Sequence, residues 1–172
     1  MSAMLSMLYA VVAYLLFAGT FAYAVGFTGN LFVPKGIDAG ASGPLLEAIA
    51  INLLLLGIFA VQHSVMARRG FKRWWTRIVP PAAERSTYVL AASLALALVL
   101  WQWRPIAEPV IWRIDGAFAT TLVWAVFWLG WVVLLASSFL INHFELFGLR
   151  QAWANLTGRP LPEPKFRTPA YL

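Results

Sequence analysis

The sequence predicts an all-α membrane protein, a bundle of about four transmembrane helices, and three observations carry that expectation. Of its 172 residues 61% are hydrophobic and only 12% charged, too few charges to cover a water-soluble globule of this size. The apolar residues gather into stretches of the roughly 20 residues needed to cross about 30 Å of hydrocarbon. The cations gather in the connections between those stretches. A chain of this length has room for a single transmembrane domain, residues 1–172, and no second one.

The first span is expected at about 6–27. It carries no charge and ends at Thr28-Gly29-Asn30, with Pro34 and Gly36 marking a turn-forming loop. Ala22-Tyr23-Ala24 has the small-residue form of a signal-peptidase site, yet no Lys or Arg precedes it. The apolar run before it is also too long for a signal-peptide core, so the segment reads as a span. The second span, about 45–67, opens after Pro44 and closes at Arg68-Arg69-Gly70. The third, 87–103, and the fourth, 118–141, are each long enough to cross with modest tilt. Trp101, Trp103 and Trp112 then fall at one interface, as an aromatic belt. Residues 142–172 turn polar and carry Pro160, Pro162, Pro164 and Pro169. They read as a cytoplasmic tail, a short helical extension followed by extended chain.

Orientation follows from the loop cations. Arg68, Arg69, Lys72, Arg73, Arg77 and Arg85 follow the second span. Only Lys35 follows the first, and Arg104 and Arg113 after the third are offset by Glu108 and Asp115. The positive-inside rule puts both termini in the cytoplasm, and the expected location is the cell inner membrane, as a multi-pass protein. Segment 68–85, with Phe71, Trp74 and Trp75 among its cations, reads as an amphipathic stretch on the inner interface or a loop folded onto the bundle. The formal charge of +6 therefore meets the lipid bilayer and its anionic headgroups. No nucleic-acid partner is expected, because few polar residues remain to read bases.

Cysteine is absent, which excludes disulfides, thiolate catalysis, Fe–S clusters and Cys-based zinc sites. Chemistry falls to oxygen and imidazole groups. His63 stands near the cytoplasmic end of the second span and His143 just past that of the fourth, at one depth. With Gln62, Asn142 and Glu145 they form one candidate cluster, since strongly polar groups at membrane depth are costly and mark sites. The alternative is that they sit at headgroup level, satisfied by water and backbone. Ser138, Asn142 and Glu145 recur at i, i+4 and i+7 and are expected on one helical face, with His143 and Arg150 on the next. Asn52 lies three turns before His63 on one stripe, where interhelical hydrogen bonding is its expected use. Trp124, Trp128 and Trp131 form an aromatic stripe explained by lipid contact or helix contact, with an aromatic cage as the lesser alternative. Two imidazoles can ligate a haem iron, or with Glu145 another metal, but without a third well-spaced ligand no metal site is expected. No nucleophile elbow or Gly-rich phosphate loop is present.

Three stretches are more specific. They are Phe59-Ala60-Val61-Gln62-His63-Ser64-Val65-Met66-Ala67-Arg68, Pro80-Pro81-Ala82-Ala83-Glu84-Arg85-Ser86-Thr87-Tyr88, and above all Asn142-His143-Phe144-Glu145-Leu146-Phe147-Gly148-Leu149-Arg150-Gln151. In these the chain closely resembles the bacterial methanethiol S-methyltransferases, of the membrane methyltransferase superfamily that includes isoprenylcysteine carboxyl methyltransferase. The likeness covers nearly the whole chain. It implies methyl transfer from S-adenosylmethionine to methanethiol, a small thiol substrate, giving dimethyl sulfide. On that reading His143 or Glu145 takes the thiol proton and Arg150 or Arg85 holds an anionic group. Catalytic roles are thus expected of His143, Glu145 and Arg150, and substrate contacts of Gln62, His63, Asn142 and Arg85. Members of the superfamily continue past Phe166-Arg167-Thr168-Pro169 into an Arg-His-Pro-x-Tyr type motif and further spans that supply most of the cofactor site. The chain ends at Leu172. It is therefore expected to represent the N-terminal portion of such an enzyme, completed by a missing C-terminal half or by a homo-oligomer, and not to bind S-adenosylmethionine tightly alone. The competing expectations are a small haem-binding or electron-transfer membrane subunit built on His63 and His143, and a non-catalytic scaffold.

Overall fold

The structure, a computed structural model, describes residues 1–40, 43–106, 108–110 and 113–160. All of the regular structure among them is helical: α1 (Ala3–Gly29), α2 (Leu45–Ala67), α3 (Arg69–Trp75), α4 (Pro81–Gln102), α5 (Ala117–Ile141), α6 (His143–Leu146) and α7 (Leu149–Leu156). Helices α1, α2, α4 and α5 are long and apolar enough to cross a membrane, and the chain is a multi-pass helical membrane protein. The third of these starts six residues before the expected Thr87. Pro81 occupies its first turn, where a missing N–H costs nothing and the fixed φ favours a helix. The polar Glu84 and Arg85 delay the apolar stretch but not the helix.

Helices α1 and α4 form the centre, with α2 against α4 and α7 against both α1 and α4. Small side chains permit this closeness. Ala10 and Ala13 of α1 and Ala82, Ala83 and Ser86 of α4 are buried, as expected where lipid gives no hydrophobic drive and close van der Waals contact must hold helices together. Helix α5 is different, for only Ser138 of its 25 residues is buried. Its tryptophan stripe is built around Phe127, whose ring centroid lies 5.3 Å from Trp124 and 5.2 Å from Trp128. Trp131 meets Phe21 of α1 edge-on at 5.2 Å.

Polar contacts tie off the end of the bundle where α1 finishes. Asn30 closes α1 in the left-handed conformation, φ 50°, which Asn tolerates better than most residues. Asn52 of α2 donates through Nδ2 to the Arg104 carbonyl at 2.8 Å and accepts the Arg104 N–H at 2.8 Å. This is the interhelical use expected of it, directed at backbone just beyond α4. Trp103 Nε1 donates to the Ile37 carbonyl at 3.0 Å, and Lys35 Nζ donates to the Trp101 carbonyl at 2.6 Å. Burial, and then the Arg104 charge, lower the Lys35 pKa from its ordinary value. A cation at the last carbonyls of α4 also complements the helix dipole.

At the opposite end, segment 68–85 resolves into the short helix α3, a turn and the first residues of α4. Lys72 of α3 lies 3.8 Å from Glu84 of α4, a surface pair of little energetic weight. The tail begins with α6 and α7, a helical extension as expected. Residues 161–172, with Pro162, Pro164 and Pro169, lie outside the described residues, as does Trp112.

Replacing Asn52 by Leu removes two hydrogen bonds of about 1 kcal/mol each and strands the Arg104 backbone groups. The thermal unfolding midpoint in detergent should fall accordingly. An unchanged midpoint would show that the α2 to Arg104 tie contributes nothing.

Candidate active site

Asn142, His143 and Glu145 of the expected cluster gather around the break between two helices. Helix α5 ends at Ile141, and Asn142 holds φ 121°, a region almost confined to glycine and costly for other residues. The continuous face expected for Ser138, Asn142 and Glu145 is therefore interrupted. The break turns the chain, and Ser138 meets His143 instead. Asn142 Nδ2 donates to Glu145 Oε2 at 2.8 Å, and Arg150 NH1 donates to the same oxygen at 2.9 Å. Glu145 Oε1 carries neither bond. A second tight corner follows at Gly148, φ 86°, where a Cβ would stand 2.5 Å from Ser86 Oγ and 3.1 Å from Arg85 Cβ. Only glycine lets the α6–α7 corner press against α4 there, and the contact brings Arg85 beside it.

His143 is 3% exposed and engaged at both ring nitrogens. Nδ1 lies 2.7 Å from Ser138 Oγ, and Nε2 lies 2.8 Å from the Tyr14 hydroxyl of α1. Ser138 Oγ is also 2.6 Å from the Leu135 carbonyl, which can only accept. The serine hydrogen must serve that bond, so Oγ accepts from His143 and the ring proton resides on Nδ1. Nε2 of the neutral ring then accepts from the Tyr14 hydroxyl. Burial lowers the His143 pKa from its ordinary value, which keeps the ring neutral. Aromatic rings surround it. Phe139 stacks on it with centroids 4.1 Å apart, and Phe147 lies at 4.7 Å. Phe147 in turn lies 4.1 Å from Phe17 of α1.

His63, expected in the same cluster, stands on the other side of this aromatic wall. It is exposed on α2, and the Tyr88 hydroxyl of α4 lies 3.0 Å from both its Nδ1 and its Nε2. One hydroxyl hydrogen serves only one of them at a time. Gln62 Nε2 contacts Met66 Sδ at 3.1 Å, while its Oε1 is buried without a protein partner. Among the described residues no hydrogen bond joins His63 or Gln62 to His143, and no group of three or more His, Asp and Glu converges on a possible metal position. The site is thus two half-sites divided by Phe17 and Phe147. One is an open groove of about 520 Å³ lined by Asn142, Phe144, Arg150 and Trp153 among others, with Glu145 hydrogen-bonded to Asn142 and Arg150. The other holds His63 and Tyr88 beside a smaller cavity that Phe147 borders.

Tyr14 and Tyr88 were not predicted. The available signal is that a tyrosine inside an apolar span needs a partner for its hydroxyl, and each finds a histidine on another helix.

These features define a helical membrane protein with a polar, aromatic-walled site where the basic connector and α6–α7 meet. The chain is 53% identical over 163 residues to the methanethiol S-methyltransferase of Mycobacterium tuberculosis, covering 95% of this chain and 66% of that protein. It is 52% identical over 165 residues to the one of Crocosphaera subtropica, covering 96% and 64%. A more distant likeness, 32% identical over 125 residues, is to Nurim of Pan troglodytes, covering 70% of this chain and 47% of that protein. No family model and no solved structure matches. The chain belongs to the methanethiol S-methyltransferase family, and it spans about two thirds of the length of the relatives it matches.

The state of His143 has a pH consequence. Below pH about 6.5 an unfolded histidine takes up a proton, whereas the buried ring resists it until lower pH. Stability contributed by the neutral ring is therefore full above about 6.5 and declines as pH falls toward the lowered folded value. Thermal midpoints recorded from pH 7.5 to 5 should fall with acid, and His143→Gln should be less stable at pH 7.5 with a flatter decline. An equally steep decline in the variant would assign the effect elsewhere.

Proposed function

We propose that this protein takes part in methyl transfer from S-adenosylmethionine to a small thiol, methanethiol giving dimethyl sulfide, at the inner face of the cell inner membrane with both termini cytoplasmic. The observation that carries the reading is the folded Asn142–Arg150 segment, in a chain of this family. The orientation is supported by Arg68, Arg69, Lys72, Arg73 and Arg77, which follow α2 at the end where α6 and α7 lie.

The donor set beside the groove fits the methyl donor. The methionine end of S-adenosylmethionine is a zwitterion, and Glu145 and Arg150 offer a carboxylate and a guanidinium side by side, 2.9 Å apart. Glu145 Oε1 can receive the ammonium, and Arg150 with the Asn142 amide the carboxylate. Trp153 and Phe144, both about half exposed, present faces suited to an adenine ring. When bound, the cofactor supplies an electrophilic methyl group on a sulfonium. The protein's task in such a displacement is to align the thiol with that methyl and keep water out. Phe17 and Phe147, 4.1 Å apart, make an apolar wall for this purpose. His143, neutral and held from α1 and α5, fixes the corner that carries Glu145. Arg85, against the same corner, adds positive charge that favours an anionic group nearby. Gln62 and His63 are the contacts for the thiol.

Headspace gas chromatography of cells supplied with methanethiol tests this. The experiment compares this chain with a fusion of it to the remaining third of the Mycobacterium tuberculosis relative. Dimethyl sulfide above the empty-vector level is expected from the fusion; its absence from both would refute the proposal.

In the active protein, Glu145→Gln and Arg150→Leu should each raise the KM for S-adenosylmethionine at least tenfold with little change in the KM for methanethiol. A change confined to methanethiol would reverse the assignment of the groove.

A further inference from the structure

Far from the candidate active site, an open groove of about 400 Å³ runs between α1 and α4 toward the end where α1 finishes. Leu15, Leu16 and Gly19 of α1 and Leu100 of α4 are in its lining, with Thr20, Tyr23 and Trp101. Gly19 keeps it wide, since no neighbouring atom lies within 4 Å of where a Cβ would stand. From Tyr23 to Leu15 the helix rises about 12 Å, close to the roughly 15 Å of hydrocarbon in one leaflet. The groove therefore has the length and character of an acyl-chain slot.

Its charge stands at one end. The Tyr23 hydroxyl donates to the Lys35 carbonyl at 3.3 Å, and Lys35 Nζ donates to the Trp101 carbonyl at 2.6 Å. Both of these partners line the groove, so the ammonium is held at its rim with two of its three donors unspent. Arg104, exposed, is fixed through its backbone to Asn52. Its charge reaches Lys35 and helps lower the Lys35 pKa. Asp38, Glu47, Glu108 and Asp115 belong to the same end, yet among the described residues none lies within 4.0 Å of either cation. Two like charges beside an apolar groove are relieved by an anion that carries its own hydrocarbon.

We propose that this groove binds an anionic phospholipid, with one acyl chain along Leu15, Gly19 and Leu100 and the phosphate held by Lys35 and Arg104. Both cations form strong, charge-assisted hydrogen bonds to phosphate. The head is anionic rather than zwitterionic, because an ethanolamine ammonium would face the same two cations that hold its phosphate.

Native mass spectrometry of the purified chain tests this, after titration in detergent with phosphatidylglycerol or phosphatidylethanolamine bearing the same palmitoyl and oleoyl chains. One phosphatidylglycerol should be retained per chain at a concentration roughly tenfold below that needed for phosphatidylethanolamine. Lys35→Gln with Arg104→Gln should erase that preference and leave the weaker binding common to both lipids. Gly19→Leu fills the groove with no neighbour to displace and should lower retention of both. Ala97→Leu fills it from α4 should the first variant fold poorly. Equal retention of the two lipids, a preference that survives the double substitution, or undiminished retention in a folded filled variant would each overturn the proposal. So would a preference lost only with Arg68→Gln and Arg69→Gln, which moves the headgroup site to the connector. Lipid bound by this chain but expelled in the fusion would also overturn it, by giving the groove to a further helix.

Discussion

The imidazole of His143 is the joint on which the arrangement depends. Helix α5 is almost wholly exposed, with one buried residue, and so has little side-chain contact to hold it in place. Its last turn is fastened through Ser138 Oγ to His143 Nδ1, and His143 Nε2 is fastened to Tyr14 of α1. Two short hydrogen bonds in a low-dielectric setting thus connect the outermost span to the centre. Such bonds are stronger there than in water, and an unpaired group would be correspondingly costly. The strained φ of Asn142 is tolerable because the residues on both sides of it are held this way.

From that joint follows the division of the site. The turn at Asn142 leaves Asn142 and Arg150 on the open groove and Phe147 inward against Phe17. A polar, solvent-reachable half-site and an apolar cavity are then separated by little more than aromatic rings.

Much of this was legible in the sequence. Four apolar stretches, the cationic connector and the helical start of the tail follow from hydropathy and charge alone, because lipid requires every spanning segment to satisfy its own backbone. Asn52 was readable as a polar tie, since an amide in a span must find a partner. What escaped was geometry that depends on a single backbone angle. Periodicity assigns Ser138, Asn142 and Glu145 to one face only if the helix continues, and the left-handed turn at Asn142 ends it. Shared depth in the membrane merged His63 and His143 into one cluster, although Phe17 and Phe147 stand between them. Tyr14 and Tyr88 went unseen because a tyrosine in an aromatic-rich span looks like one more ring.

The most direct test of this account is the protonation state of His143 read from 15N NMR of histidine-labelled protein in lipid nanodiscs at pH 7.5. The account predicts a neutral ring with the proton on Nδ1, and an Nε2 signal that moves when Tyr14 is replaced by Phe. A ring protonated on Nε2 alone, or one charged at that pH, would contradict it.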